Sequence, residues 1–129
     1  PIMRQHPGLC ARAIVHCFTG NLDALKAYLD LGLYIGITGW ICDERRGGLL
    51  QSLVAKIPDN RLLIETDAPY LFPRTLLQKH GRHRNEPKYL TEIVNVISHF
   101  RGQDPNTVAQ NTTRNAIRLF GLNNDLAEN

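Results

Sequence analysis

Three short apolar segments alternate with stretches of helical periodicity, and this alternation constrains the fold more than any other feature of the sequence. We predict strands over residues 11–17, 33–37 and 62–65, each 4–7 residues long, as is typical of strands. Strands that alternate with helices are typical of parallel sheets with right-handed crossovers. Two α/β architectures fit this order, a doubly wound sheet and part of a (β/α)₈ barrel.

The helices between and after these strands carry recognisable start and stop signals. Asn21 is suited to the N-cap of the first helix, and Gly32 to its C-terminal end. A second apolar stripe runs from Leu49 to Ile57 and is ended by Pro58. After the third strand we predict a long loop over residues 66–86, a helix that begins near residue 87, a short helix capped by residue 104, and a last helix before residue 121.

Length and composition set broader limits. A chain of 129 residues suits one domain, which we take as residues 1–129. No apolar run approaches the roughly 18 residues of a membrane span, so no membrane partner is expected. The three cysteines form no CxxC pair and are expected to be reduced, which favours a cytoplasmic location.

Polar residues collect where the predicted strands end. His16 lies near the end of the first strand, Glu65 is the last residue of the third, and Asp67 follows two residues later. In both parallel architectures ligands bind at the carboxyl ends of the strands. Imidazole and carboxylate groups are ligands for catalytic metals, so these three side chains are candidates for a shared divalent ion. The structural alternatives are a hydrogen-bonded histidine, a strand-end salt bridge and a proline-turn aspartate.

Cys17 offers a different chemistry, a Cys-His nucleophile pair with His16. Adjacent residues of a strand point to opposite faces. If His16 faces the site, Cys17 is therefore expected to face the helices, which disfavours this pair.

Basic residues are concentrated in the loops after the second and third strands, which include Arg45, Arg46 and the run from Arg74 to Lys88. The net charge of the whole chain is only +3. Guanidinium groups bind phosphate oxygens in fork geometry, so this placement suits a phosphate-bearing substrate, with a solvated, flexible loop as the equal alternative. Trp40 and Tyr70 are candidates for stacking on an unpaired base or for ordinary packing.

Several motifs together resemble the second half of the TatD deoxyribonucleases, metal-dependent hydrolases of the amidohydrolase type. In chain order they are VHCFTGN, YIGITGWICDERRGG, LLIETDAPYLFPR and HRNEPKYL, with TRNAIRLFG near the end. The resemblance runs from about residue 8 to residue 122. It implies an α/β fold made of the C-terminal three βα units of a (β/α)₈ TIM barrel plus terminal helices.

The resemblance also implies an activity and roles for individual residues. The family consists of Mg²⁺-dependent 3′–5′ exonucleases acting on single-stranded DNA and also RNA, with Mn²⁺ or Zn²⁺ as alternative metals. His16 and Asp67 match its metal ligands, Asp67 also as the base, and Glu65 would line the same site. The residues expected to bind substrate are Arg45, Arg46, Arg82, Arg84 and Asn85, the last with helix capping as its alternative role.

The sequence departs from the family pattern in one respect. The HxH pair expected on the first barrel strand is absent, and the chain starts at Pro1 without an initiator Met. We therefore expect a piece of a longer protein that carries part of the active site. The alternatives are a metal-dependent amidohydrolase acting on a small molecule, and an inactive fragment that binds nucleic acid.

Overall fold

A three-stranded parallel sheet lies at the centre of the fold. The computed structural model describes residues 2–77 and 84–122. The strands lie in chain order as β1 (Ile14–Val15), β2 (Tyr34–Ile37) and β3 (Leu62–Ile64). The predicted strand order and parallel α/β class are confirmed. The strands are shorter than predicted, because residues 11 and 12 form a turn before β1 and residues 16 and 17 turn away after it.

Helices follow the strands in the predicted alternation. They are α1 (Ile2–Gln5), α2 (Pro7–Cys10), α3 (Leu22–Asp30), α4 (Gly48–Leu53), α5 (Leu90–Arg101) and α6 (Pro105–Phe120). Short 3₁₀ turns connect them, notably Gly39–Cys42 after β2, Val54–Lys56 after α4 and Pro87–Tyr89 before α5. None of the helices in the described part of the chain is both long and apolar enough to cross a membrane.

The cap prediction for α3 is confirmed, and one helix prediction is wrong. The Asn21 side chain accepts a hydrogen bond from the Ala24 N–H at 3.0 Å, and Gly32 takes the left-handed conformation after the helix. The two helices predicted after residue 104 form the single helix α6. The physical reason is that no proline or glycine interrupts the chain between Pro105 and Gly121.

The two faces of the sheet have different roles. One face packs against the helices through Ile35, Ile37 and Leu62, which join a core cluster with Leu25 and Ile97. The other face carries the alternate residues Tyr34, Gly36 and Leu63. The side chains discussed below extend from this second face, beyond the carboxyl ends of the strands.

Two polar side chains from the last helices hold the amino end of β3. Arg101, whose side chain is only 6% exposed, donates to the carbonyls of Val54 and Ile57 at 2.7 Å each and pairs with Asp59. Asn115 donates to the carbonyls of Asp59 and Leu62 at 2.7 and 2.9 Å. These bonds give side-chain donors to four backbone carbonyls in the 3₁₀ turns before β3 and at its first residue.

Candidate metal centre and basic rim

Three titratable side chains meet at the carboxyl ends of β1 and β3. His16, Glu65 and Asp67 each bring one possible ligand atom to within 4.8 Å of the other two. The side chain of His16 is 64% exposed, whereas those of Glu65 and Asp67 are 15% and 24% exposed. The structure thus brings together the three side chains that the sequence placed on one rim, with an open side toward solvent.

The imidazole of His16 lies between the two carboxylates. Its Nδ1 contacts Oε2 of Glu65, and its Nε2 lies 3.1 Å from Oδ1 of Asp67. Each ring nitrogen therefore faces a different acid. Two ligands at neighbouring vertices of an octahedral ion, each about 2.1 Å from it, are about 3 Å apart. The spacing between Nε2 and Asp67 fits such a pair.

Glu65 reaches His16 by crossing the middle strand. Its N–H continues the ladder to the Ile37 carbonyl at 2.9 Å, and its side chain passes directly over Gly36. A Cβ at position 36 would overlap Oε1 of Glu65, so only glycine leaves this path open. Oε1 is buried and has no hydrogen-bond partner among the described residues. Burial raises the pKa of Glu65, against the opposing effect of His16.

The prediction that Cys17 faces the helices is wrong. The strand has already ended at Val15, and Cys17 has a left-handed φ of 48°, so the alternation of faces no longer applies. Its Sγ lies 3.3 Å from Oγ1 of Thr38, and the neighbouring Phe18 enters the core instead. Burial, assisted by Asp67 and Glu65, raises the pKa of the Cys17 thiol. A raised pKa disfavours the thiolate that a nucleophile needs.

The donor set fits a divalent cation. One imidazole nitrogen and two carboxylates are suitable ligands for divalent metals of the Mg²⁺, Mn²⁺ and Zn²⁺ group. Oε1 of Glu65 is buried and has no hydrogen-bond partner among the described residues, and a nearby cation would stabilise its negative charge. Asp67 has a left-handed φ of 51°, a conformation that aspartate tolerates, and this turns its carboxylate back toward His16.

A second cluster of charged side chains lies in the loops after β2 and β3. The buried carboxylate of Asp43, 5% exposed, accepts hydrogen bonds from Arg45 at 3.0–3.1 Å and from Arg46 at 3.0–3.1 Å. Arg74 lies 3.7 Å from Asp43 and pairs with Glu44 at 2.8 Å. Three guanidinium groups against two carboxylates leave this cluster with a surplus positive charge.

A cavity of about 230 Å³ opens at this cluster. Arg45, Arg46 and Arg74 line it together with Leu71 and Phe72 from the β3 loop. The guanidinium of Arg46 also lies 4.5 Å from the ring centroid of Trp40, another lining residue. A cavity with an apolar wall and guanidinium groups at its edge matches the chemistry of a nucleotide, with an apolar base and a charged phosphate.

The predicted substrate residues lie in different surroundings. Arg45 and Arg46 line the cavity, with side chains 57% exposed. Arg84 is exposed, and Arg82 lies outside the described residues.

Asn85, predicted to bind substrate or cap a helix, is 2% exposed, and its side chain does not cap the helix that follows. Its Nδ2 donates to the carbonyls of Thr66, Tyr70 and Leu71 at 2.5, 2.8 and 3.3 Å, and its Oδ1 accepts from the Glu86 N–H at 2.9 Å. It ties the β3 loop together, so its amide is not free for a ligand.

Sequence reasoning missed two residues that shape this region, Asp43 and Gly36, and placed Arg74 only among the basic residues of its loop. Asp43 and Arg74 organise the arginine cluster, and Gly36 makes room for Glu65. Two signals in the sequence were available. Asp43 is an acid directly before Glu44, Arg45 and Arg46, and Gly36 is a glycine inside a strand.

Comparisons with known proteins show the family to which the chain is similar. The family model described as TatD related DNase matches residues 1–121. A Citrobacter rodentium protein described as 3′-5′ ssDNA/RNA exonuclease TatD is 54% identical over 122 residues, covering 95% of this chain and 45% of the relative. A protein of the same description from Yersinia pseudotuberculosis is 56% identical over 110 residues, covering 85% of this chain and 42% of that relative. The chain thus spans less than half the length of these relatives.

Solved structures show the same fold. The crystal structure of YjjV, a TatD homologue from Escherichia coli K12, matches with a TM-score of 0.79 and 28% identity, covering 95% of this chain and 45% of that one. A TatD family hydrolase from Entamoeba histolytica matches with a TM-score of 0.67 and 24% identity over 82% of this chain and 41% of that one. From the family match, the curated relatives and the shared fold, the chain belongs to the TatD related DNase family.

Proposed function

We propose that this chain carries part of the active site of a metal-dependent 3′–5′ exonuclease that hydrolyses phosphodiester bonds in single-stranded DNA and RNA. The observation that supports the proposal most is the meeting of His16, Glu65 and Asp67 at the end of a parallel sheet. The relatives described as 3′-5′ ssDNA/RNA exonucleases support the substrate class. In the proposal residues 1–129 of this chain form one fragment of a (β/α)₈ barrel domain, its last three βα units and terminal helices.

His16 and Asp67 are the proposed metal ligands, through Nε2 and a carboxylate oxygen. We propose Mg²⁺ as the cation, with Mn²⁺ and Zn²⁺ as alternatives, because carboxylate suits Mg²⁺ and Mn²⁺ and imidazole suits Zn²⁺. A bound divalent ion lowers the pKa of water and offsets charge on a phosphoryl oxygen. The carboxylate of Asp67 accepts the proton of the attacking water, since an acid beside a cation stays ionised at neutral pH.

The arginine cluster is the proposed substrate-binding part of the rim. Asp43 orients Arg45 and Arg46 before any ligand arrives, which lowers the entropy lost when a phosphate is bound. Arg74 contributes a third guanidinium, and Trp40 offers an aromatic face beside Arg46. Arg84 and Arg82 are proposed as further phosphate contacts. Asn85 is not, because four hydrogen bonds occupy its amide.

Single-stranded DNA or RNA is the proposed partner, and the proposed location is cytoplasmic. The three cysteines are free thiols, which suits a reducing compartment.

A chimeric enzyme tests the proposal directly. The 122-residue region of the Citrobacter rodentium relative that matches this chain is replaced by the chain itself. The chimera is expected to release nucleotides from the 3′ end of single-stranded DNA and RNA in Mg²⁺. Asp67→Asn should lower this rate by about 100-fold or more, since general-base catalysis alone contributes that much.

A matched control and a contradicting outcome complete the test. Asp30→Asn changes an exposed acid at the opposite end of α3, away from the rim, and should keep the full rate. A folded chimera with no activity, or one whose rate survives Asp67→Asn, would overturn the proposal.

A further inference from the structure

We infer that Glu65 is a positioning residue, which holds His16 in the tautomer with the proton on Nδ1, and that it is not a third metal ligand. The inference deepens the proposed function. Its statement about metal binding rests on that function, whereas its statement about the tautomer does not. It assigns the two acids of the site to different tasks, although both lie beside the same imidazole.

The geometry of the imidazole ring gives Glu65 and Asp67 different roles, because each acid faces a different ring nitrogen. The lone-pair directions of Nδ1 and Nε2 diverge, so one ion cannot bind both nitrogens of one ring. Nδ1 is in direct contact with Glu65, which leaves no space for an ion between them. Nε2 lies 3.1 Å from Asp67, which is the spacing of two ligands on one ion, about 3 Å. The metal side of the ring is therefore the Asp67 side.

The surroundings of Glu65 suit a fixed hydrogen-bond acceptor. Its side chain is 15% exposed, and its backbone is held in the ladder by Ile37. Gly36 forms the floor beneath the carboxylate, where any larger residue would displace it. A carboxylate held so firmly selects the histidine tautomer that donates to it, as acids behind metal-bound histidines do.

The selected tautomer has a direct consequence for the rim. A proton on Nδ1 leaves the lone pair of Nε2 free and directed toward Asp67. In the opposite tautomer Nε2 carries the proton and has no free lone pair with which to bind the proposed ion. Gly36 thereby becomes a determinant of the site although it touches neither Asp67 nor the proposed ion.

The tautomer of His16 can be read without metal or nucleic acid. Long-range ¹H–¹⁵N correlation spectra of the ¹⁵N-labelled chain distinguish Nδ1–H from Nε2–H, and His16→Gln assigns the signals among the five histidines. Spectra are recorded at about pH 9, well above the ordinary imidazole pKa of about 6.5. We expect Nδ1–H in the wild type and in Glu65→Gln, which keeps an acceptor, and a shift to Nε2–H in Glu65→Ala.

Gly36→Ala provides an independent check on the same spectra. The added methyl group should displace Glu65 and reproduce the tautomer change of Glu65→Ala. The double variant Gly36→Ala/Glu65→Ala should show no further change. An Nε2–H wild type, or an unchanged tautomer in Glu65→Ala, would overturn the inference.

Calorimetric titration with Mn²⁺ alone separates a positioning residue from a ligand. Loss of an orienting acid weakens metal binding by about 10–100-fold, so Glu65→Ala should fall in that range. Glu65→Gln should weaken Mn²⁺ binding much less than Glu65→Ala does, because the glutamine amide oxygen still accepts the hydrogen bond from Nδ1. Equal losses in the two variants would mark Glu65 as a ligand and contradict the inference. Because the tautomer is measured without catalysis, its result stands whether or not the chimera is active.

Discussion

The backbone of Gly39 lies against the carbonyl oxygen of Leu71, so closely that a Cβ on Gly39 would overlap it. This contact joins the loop after β2 to the loop after β3 at the cavity that both residues line. Gly39→Ala should therefore push the loops apart and lower the free energy of unfolding by about 1–3 kcal/mol, the usual cost of overpacking. Urea denaturation measures this loss.

Gly48 is the matched control for this substitution. It begins α4, and no atom lies within 4 Å of an added Cβ. Gly48→Ala should leave stability unchanged or raise it by up to about 1 kcal/mol, since alanine favours the helix. Equal destabilisation by both substitutions would contradict the proposed contact.

Asp43 should make stability depend on pH. The hydrogen bond from Arg45 holds the pKa of this buried carboxyl well below its usual range, with Arg46 assisting. A lowered folded-state pKa adds stability that is fully present above the unfolded-state pKa of about 3.9 and is lost as pH falls below it. Wild type should therefore lose more stability than Asp43→Asn between about pH 5 and pH 2.5.

Urea denaturation over this range checks the prediction. Asp23→Asn, at an exposed position of α3, should keep the wild-type dependence on pH. If Asp43→Asn loses as much stability as wild type on acidification, the role of Asp43 is refuted.

Asn85 should be a stability residue of the β3 loop. Asn85→Asp keeps the size of the side chain but replaces two N–H donors with an oxygen that faces the carbonyls of Thr66 and Tyr70. The loss of buried hydrogen bonds should cost about 1–3 kcal/mol. Thermal denaturation measures it, with exposed Asn106→Asp in α6 as the control that should stay near the wild-type melting temperature. A normal melting temperature for Asn85→Asp would argue against this role.

Arg45 and Arg74 should set the salt dependence of nucleic-acid binding by the chimera. Each phosphate contact with a single strand contributes about −0.7 to the slope of log affinity against log salt. Arg45→Gln and Arg74→Gln should each make this slope shallower by about that amount. Arg118→Gln, at an exposed position of α6, should leave it unchanged. A small-molecule substrate without phosphates would show no such effect.

The three thiols should differ in reactivity. Burial raises the pKa of Cys42 to about 12, and Cys10 is also buried. Only Cys17 is partly exposed. At about pH 8, iodoacetamide should modify Cys17 first, because the thiolate is the reactive form and needs access. Mass spectrometry of the labelled peptides checks the order, and early labelling of Cys42 would contradict the packing of the 3₁₀ turn Gly39–Cys42.

Local sequence signals predicted the elements well but not the long-range polar contacts. The strand order and the Asn21 cap follow from periodicity and capping chemistry, which act over a few residues. The environment of Asp43 depends on Arg74 in another loop, which local pattern does not show. Cys17 was misplaced because a left-handed residue after a two-residue strand breaks the alternation rule. The metal-binding role of His16 and Asp67 stays a prediction.

Arg101 and Asn115 fasten β3 at its amino end, whereas Asp67 lies beyond its carboxyl end. The residues that keep the strand in place are thus different from those proposed to act on a substrate. Substitutions of exposed rim side chains such as Arg45 and Arg46 can accumulate while the strand stays anchored, because the anchoring bonds lie at the opposite end of β3. Exposed side chains of the rim are therefore positions where natural variation or protein engineering can change substrate specificity with little loss of stability.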